Sequence, residues 1–418
     1  MKRFVVASTL AATFLLVVTG CAEPRPLPTP TPTATETLGP TGDGVLRIGA
    51  LLTTRGDTSG ISAGMIAAVE VAVRDINTAG GVLGVPVETF YRDAGAVDDD
   101  RLESGFAELV ERGVDVVVGP SSPALLKRLL PLADAAGVAV VATAASSPTV
   151  RAAEPEGVLL RTVPAVDREA VAIMQALVDE GVETVALVAA SDAQGQSVVD
   201  DARAAVVSSS TVIAAVERAD SATSSARLSF SLAAGAPDAV VLATTGLAAP
   251  QVAEIVDALL TRGVRGDQLW FTSAAVVDFS SLESGVLEGA TAVRAGAEVD
   301  ELLAGRLLQS DPRLRTQRFA PETYDAVVLA ALAATVAGDD GGTSIARAVT
   351  QVASGEVACD SVGLCLDALA QGRTIDFDGY SGELGLDDAG DVVAASLSLL
   401  QYDAENRPQP VGIVSLTE

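Results

Sequence analysis

The chain contains no histidine, and among its 418 residues only two are lysine, at 2 and 127, three are cysteine and one is tryptophan. Without an imidazole, Ser-His-Asp and Cys-His nucleophile systems, His-ligated zinc and histidine general acid–base chemistry are all excluded. Carboxylate-pair hydrolysis, Ser-Lys chemistry and carboxylate-bound metals survive that test, but the scarcity of lysine leaves an enzyme disfavoured. Positive charge is also scarce: Lys+Arg 27 against Asp+Glu 55 gives −28, a field that repels phosphate backbones, so nucleic acid is not expected as a partner. Beyond Cys21 no apolar run reaches the roughly 18 residues of a membrane span; Ala326 to Ala337 is the longest and reads as a buried helix. What is present is globular composition, 49% hydrophobic and 20% charged, in a 42.2 kDa chain too long for one ordinary core, so two lobes are expected.

The first residues read as an address. Met1-Lys2-Arg3 is basic and Phe4 to Val18 apolar, the layout of an export signal spanning 1–20. Val18-Thr19-Gly20-Cys21 follows and resembles the lipobox of bacterial lipoproteins, which implies that Cys21 carries a diacylglyceryl group and becomes the mature amino terminus. Two acyl chains at about 0.8 kcal/mol per buried CH₂ anchor a protein stably to a membrane face. Residues 21–43 are rich in Pro and Thr and cannot bury a core, so they read as a tether that at about 3.1 Å per residue reaches roughly 70 Å.

From Val45 onward, short β-branched runs alternate with helix-period segments, which predicts an α/β fold of mostly parallel sheets with crossover helices. Strands are expected at 45–52, 85–92, 114–118 and 138–142, with helices at 64–77, 99–112 and 122–136 between them. After Arg161-Thr162-Val163-Pro164 the rhythm restarts with strands at 184–189, 211–216, 238–243 and 268–272 and helices at 167–180, 196–206, 224–234 and 250–262. Helical patterns at 299–309, 319–337 and 344–352 follow, and the chain closes with strand-like 382–386, a turn and 393–402.

Seven stretches in order resemble the type I periplasmic-binding-protein family, in particular the substrate-binding lipoproteins of branched-chain amino acid ABC transporters. They are Leu46-Arg47-Ile48-Gly49, Ala72 to Val82, Asp115 to Ser122, Leu132 to Val138, Arg161 to Pro164, Tyr324-Asp325-Ala326-Val327 and Phe377 to Gly382. The resemblance implies two doubly wound parallel-sheet lobes joined by three crossovers, with lobe 1 at 44–162 plus 293–390 and lobe 2 at 163–292 plus 391–418. It further implies a monomeric, extracytoplasmic receptor without cofactor that captures a small polar ligand by hinge closure and presents it to a membrane permease. A ligand-sensing lipoprotein or a protein-interaction module on the same fold is the alternative.

Ser121 and Ser122 follow a strand at a helix start, where hydroxyls and free N–H groups can hold a carboxylate; simple capping before Pro123 is the competing reading. Ala144-Ala145-Ser146-Ser147-Pro148 resembles the family loop that holds a ligand α-carboxylate, which assigns Ala144, Ala145 and Ser146 to the site. In the second lobe Gln194 stands where the family has an aromatic, Thr245 lies in a segment replacing Gly-Tyr, and Ile61 replaces a lobe-1 aromatic. No acid is found near Thr272-Ser273-Ala274-Ala275, where amino-acid binders place the carboxylate that pairs with the ammonium group; Asp192 and Asp278 are the nearest stand-ins. Losing such a partner costs about 2–5 kcal/mol, so an ordinary Leu/Ile/Val site is not expected.

Cys359 and Cys365 are the only cysteines besides Cys21, and export permits their oxidation, while a metal site is disfavoured by the lack of histidine and of a second pair. The related lipoproteins carry a similar pair, which implies a disulfide. Asp98-Asp99-Asp100 and Asp387-Asp388 with Asp391 do not fit calcium-loop spacing and read as helix-start and turn acids. A carboxylate-pair hydrolase would have to use acids such as Asp93 and Asp192 across the cleft.

Overall fold

The computed structural model describes residues 41–55, 59–144, 147, 150, 157–244 and 247–416. The expected signal, Cys21 and the tether as far as residue 40 lie outside them, as do Ala145, Ser146 and Thr245.

The first sheet contains β1 (Arg47–Leu52), β2 (Glu88–Asp93), β3 (Val116–Val118), β4 (Ala139–Ala142) and β5 (Leu159–Arg161). All its pairings are parallel, in the order β2-β1-β3-β4-β5. The crossovers carry α1 (Ser59–Thr78), α2 (Arg101–Glu111) and α3 (Pro123–Ala136). Parallel strands covered on both faces need apolar residues on both, and β3 and β4 are buried at every position. Alternation along β1 divides the core: Ile48, Ala50 and Leu52 cluster with α1, while Leu51 clusters with Leu102, Phe106 and Leu109 of α2 and Leu125 and Leu129 of α3.

The second sheet repeats the plan. Its parallel part is β6 (Thr184–Ala190), β7 (Val212–Ala219), β8 (Ala239–Ala243), β9 (Leu269–Thr272) and β10 (Thr291–Arg294), in the order β7-β6-β8-β9-β10. Its helices are α4 (Val166–Asp179), α5 (Ala193–Val206), α6 (Ser225–Ala233) and α7 (Ala249–Thr261). Val185, Leu187 and Ala189 of β6 cluster with α4 and α5, and Ala186 and Val188 with α6 and α7. In each sheet the second strand lies outside the first and the third on its other side, so each has one topological switch point, between β1 and β3 and between β6 and β8.

The chain then returns to the first lobe. Helix α8 (Glu301–Ser310) supplies Leu303 and Leu307, and α9 (Ala320–Ala337) lies along α1 with Ala320 to Ala334 buried throughout. The long apolar stretch is thus a core helix, and no helix among the described residues is long and apolar enough to cross a membrane. Helix α10 (Gly342–Ala348) is followed by β11 (Val357–Cys359), α11 (Val362–Ala370) and β12 (Ile375–Phe377), the two strands forming a small parallel pair. Cys359 and Cys365 are joined in a disulfide between β11 and α11.

Three of the seven stretches meet here for structural reasons. Asp325 accepts from the backbone N–H groups of Tyr380 (2.9 Å) and Ser381 (2.6 Å), and a Cβ on Gly379 would sit 2.0 Å from its Oδ1. Asp75 accepts from Tyr324 Oη at 2.7 Å and pairs with Arg306.

The last strands, β13 (Leu384–Leu386), β14 (Val392–Tyr402) and β15 (Pro408–Leu416), are antiparallel additions to the second sheet, with β14 hydrogen-bonded to β10. Two expectations change. Leu384–Leu386, assigned by sequence to lobe 1, is already part of the second sheet through β14. The four-strand first lobe gains β5, and β10, β11, β12 and β15 are further strands without a forecast. Most are three or four residues, shorter than a periodicity can establish; β15 carries Pro408 and Pro410, which an edge strand accepts.

Candidate functional site

In open α/β sheets ligands bind beyond the carboxyl ends of the strands, at the switch point. In the first sheet that place follows β1 and β3. Gly119 leaves β3 at φ +96°, and a Cβ there would lie 2.7 Å from the Leu51 carbonyl oxygen, so only glycine lets the loop pass over β1. The loop delivers Ser121, whose Oγ is buried and has no hydrogen-bond partner, and Ser122, the N-cap of α3. The Ser122 side chain makes no capping hydrogen bond, so capping does not occupy this hydroxyl. Beyond β4, Thr143 Oγ1 accepts from Thr323 Oγ1 at 3.1 Å, and Ala144 begins the small-residue loop.

The equivalent place in the second sheet follows β6 and β8. Asp192 caps α5 by accepting from Gly195 N–H at 2.9 Å, and a Cβ on Gly195 would come within 1.9 Å of the Ala190 carbonyl oxygen, so the helix start is pressed onto the strand end. This places Gln194 opposite the first lobe, where Ser147 Oγ reaches its Oε1 at 3.4 Å. Thr244, directly after β8, is fully buried, and its Oγ1 has no partner. The two switch points thus each present a buried, unpartnered hydroxyl.

The acid absent from the segment after β9 is supplied from elsewhere. Glu169, in the first turn of α4, is 0% exposed and its carboxylate accepts from Ser273 N–H (2.8 Å), Ser273 Oγ (2.7 Å) and Ala295 N–H (2.9 Å). Burial raises its pKa, against the lowering effect of these donors. Its carboxylate is engaged inside the protein, tying α4 to the ends of β9 and β10. The two stand-in acids are engaged as well: Asp192 as a helix cap, Asp278 in a turn where it accepts from Ser280 N–H at 2.9 Å. Both are exposed, and each gives one carboxylate oxygen to the local bond. Asp93 accepts from Thr54 and Gly95 N–H and pairs with Arg101 at 2.8 Å, so the carboxylates a hydrolase would need are holding loops.

Between the lobes the crossings are bound to one another. Arg161, 1% exposed, pairs with Asp391 at 3.2 Å and donates to the Ser147 carbonyl at 2.9 Å. Thr162 Oγ1 donates to the Glu322 carbonyl at 2.9 Å, and the Glu322 carboxylate accepts from Ala297 N–H. Burial pushes the Glu322 carboxyl up to about 7, and its Oε2 has no partner. The first turn of α9 is therefore held against two crossings and, through Thr323, against the loop after β4.

Among the described residues no group of three acids or cysteines could hold a metal ion. Asp99 and Asp387 accept from nearby backbone N–H groups, as helix-start and turn acids do. The strand ends of both sheets thus carry hydroxyls, two of them buried without a hydrogen-bond partner.

The profile of the family described as Periplasmic binding protein matches residues 45–404. No curated protein matches the sequence. Similar solved structures include a branched chain amino acid ABC transporter periplasmic ligand-binding protein from Burkholderia xenovorans, with TM-score 0.67 and 16% identity over 89% of this chain and 96% of that one. An ABC transporter solute binding protein from Rhodopseudomonas palustris in complex with p-hydroxybenzoic acid gives TM-score 0.62 and 16% identity over 90% and 98%. A branched-chain amino acid transporter substrate binding protein from Streptococcus pneumoniae in complex with isoleucine gives 0.60 and 16% over 89% and 99%.

Proposed function

Because the chain belongs to the periplasmic binding protein family, we propose that it is the extracytoplasmic receptor of an ABC importer, anchored through a lipid on Cys21, and that it closes on a small carboxylate-bearing ligand. The observation that carries the reading is the pair of buried, unpartnered hydroxyls, Ser121 Oγ and Thr244 Oγ1, at equivalent switch points of the two sheets. A buried polar atom without a partner costs about 1–3 kcal/mol, a cost that a ligand bridging both lobes would relieve. Ser122, Ala144 and Gln194 complete the proposed wall among the described residues; Ala145, Ser146 and Thr245 are proposed with them from the sequence alone. The similar structures from Rhodopseudomonas palustris and Streptococcus pneumoniae hold p-hydroxybenzoic acid and isoleucine, which share a carboxylate. The permease reads closure, so the ligand must bind the closed form better than the open one.

The test is thermal unfolding of the purified protein against amino acids, carboxylates, amides, polyols and nucleosides. Ligand at 100 times Kd adds about 2.7 kcal/mol, a rise of roughly 3 °C for a domain of this size. Small-angle scattering with the stabilising compound should show a smaller radius of gyration. A panel in which no class raises the melting temperature removes the receptor reading. Anchoring is tested separately: Cys21→Ser should release the protein from the membrane fraction.

A further inference from the structure

Arg318 stands just ahead of α9, in the segment that α9's first turn holds against the crossings. Its guanidinium lies over the Phe319 ring at 4.5 Å, its Nε is enclosed without a hydrogen-bond partner, and no ion pair forms to it. The charges around it are already committed. Glu169 is held by Ser273 and Ala295, Glu322 accepts from Ala297, and Arg294 pairs with Glu298 at 2.6 Å. Burial and the neighbouring Arg294 charge lower the Arg318 pKa, while Glu169, Glu322 and Glu298 act in the opposite direction. Arg318 is half-buried and has these carboxylates nearby but no ion pair with them, so its guanidinium keeps donors for an arriving anion.

Its location connects this cation to the cleft. Thr323 bonds to Thr143 at the end of β4, Thr162 to Glu322 at the first crossing, and Phe319 packs against Gly296 at the second, where a Cβ would lie 3.3 Å from its ring. Arg318 thus stands in the hinge wall between the loop after β4 and the ends of β9 and β10. We propose that Arg318 is an anion-binding residue of the cleft and that the ligand is an organic carboxylate lacking an ammonium group. This rests on the receptor reading and narrows it. A zwitterionic amino acid would bring its ammonium toward a wall whose acids already have hydrogen-bond partners and whose group without an ion pair is a cation, whereas a carboxylate meets a planar fork that matches it.

The test uses the purified protein, unfolded thermally and followed by the emission of Trp270, its single tryptophan. Benzoate, p-hydroxybenzoate and succinate are compared with leucine, isoleucine and the neutral amide benzamide. The expected result is stabilisation by one or more of the carboxylates and not by the amino acids. Arg318→Met should weaken the stabilising carboxylate by about 100-fold or more, since it removes the ligand's charge partner, and Arg318→Lys should fall between. Without ligand, Arg318→Met should melt close to wild type, because no ion pair is lost. Stabilisation by leucine or isoleucine, a carboxylate response untouched by Arg318→Met, or a lower melting temperature of unliganded Arg318→Met overturns the inference. If only amino acids or neutral compounds stabilise the protein, this inference fails and the receptor reading stands; if no compound of any class does, both fail.

Discussion

The two sheets share one strand order and one kind of switch point, yet the polar groups at their carboxyl ends differ. At the switch point of the first sheet the groups are neutral and without side-chain partners: Ser121 Oγ is buried and has none, and Ser122 caps a helix without using its side chain. At the second sheet the buried hydroxyl of Thr244 also lacks a partner, but the charged group at the ends of β9 and β10, Glu169, is fully engaged by three donors. The difference separates two uses of buried polarity. Groups left without partners are the ones we assign to a ligand, and groups with partners hold the local geometry. Substitutions at the two kinds of position should have opposite effects on the empty protein.

The largest effect is expected at Glu169. Replacing it by Leu strands the N–H groups of Ser273 and Ala295 and the Ser273 hydroxyl in a buried site, at about 3–5 kcal/mol in total. Urea unfolding of Glu169→Leu should show a midpoint well below wild type, with Glu169→Gln intermediate because one acceptor oxygen remains. A midpoint for Glu169→Leu equal to wild type would mean that the carboxylate is not holding the hinge, and the contrast between the two edges would collapse.

Glu322 gives the next effect, and it depends on pH. Its folded pKa of about 7 lies above the ordinary 4.5, so between these values the native state holds a proton that the unfolded chain has released. Stability contributed by the protonated form is present below the unfolded pKa and is lost as pH rises through about 7. Gln cannot ionise and so avoids that loss. Relative to wild type, Glu322→Gln should gain about 1–3 kcal/mol between pH 5 and pH 8, measured by urea unfolding at both values. Asp115, also raised by burial to about 7, is present in both proteins and cancels in the difference, whereas Asp325, raised to about 6, is coupled to Glu322 and contributes to the measured gain. Parallel stability curves for the two proteins would show that Glu322 does not ionise in this window.

How much of this was legible in the sequence follows from the range of each interaction. The parallel strands were readable because a strand buried on both faces is a continuous β-branched run, as Val116 to Val118 is. Ser121 and Ser122 were readable because a strand end and a helix start adjoin in sequence, so position alone puts them at the rim. The three-residue strands β5, β11 and β12 carry too little pattern, and β15 hides behind two prolines. Glu169 was invisible for a different reason: its partner Ser273 lies 104 residues away, and a search near Ser273 for an acid could not find one arriving on another helix. Its only local sign was a carboxylate beside the buried run Ala170 to Met174 of α4.

The smallest effect sharpens the comparison most. Ser121→Ala and Thr244→Val each remove a buried oxygen that has no partner in the empty protein and leave similar volume behind. Replacing such a group by an apolar one is neutral or stabilising, by about 0.5–1 kcal/mol, the reverse of Glu169→Leu. In the presence of the stabilising ligand the sign should invert, because the hydroxyls then lose a real partner. Each variant should therefore melt at or slightly above wild type when empty and below it when ligand is added. Sites separated across a cleft add unless something joins them, so the double variant measures more than the sum: additivity is expected in the empty protein, and a departure of at least about 0.5 kcal/mol is expected with ligand bound. Lower melting of either single variant without ligand would show that its hydroxyl has a partner in the empty protein. Additivity under both conditions would show that the two switch points do not share a ligand, and the two edges would then have to be treated as separate surfaces.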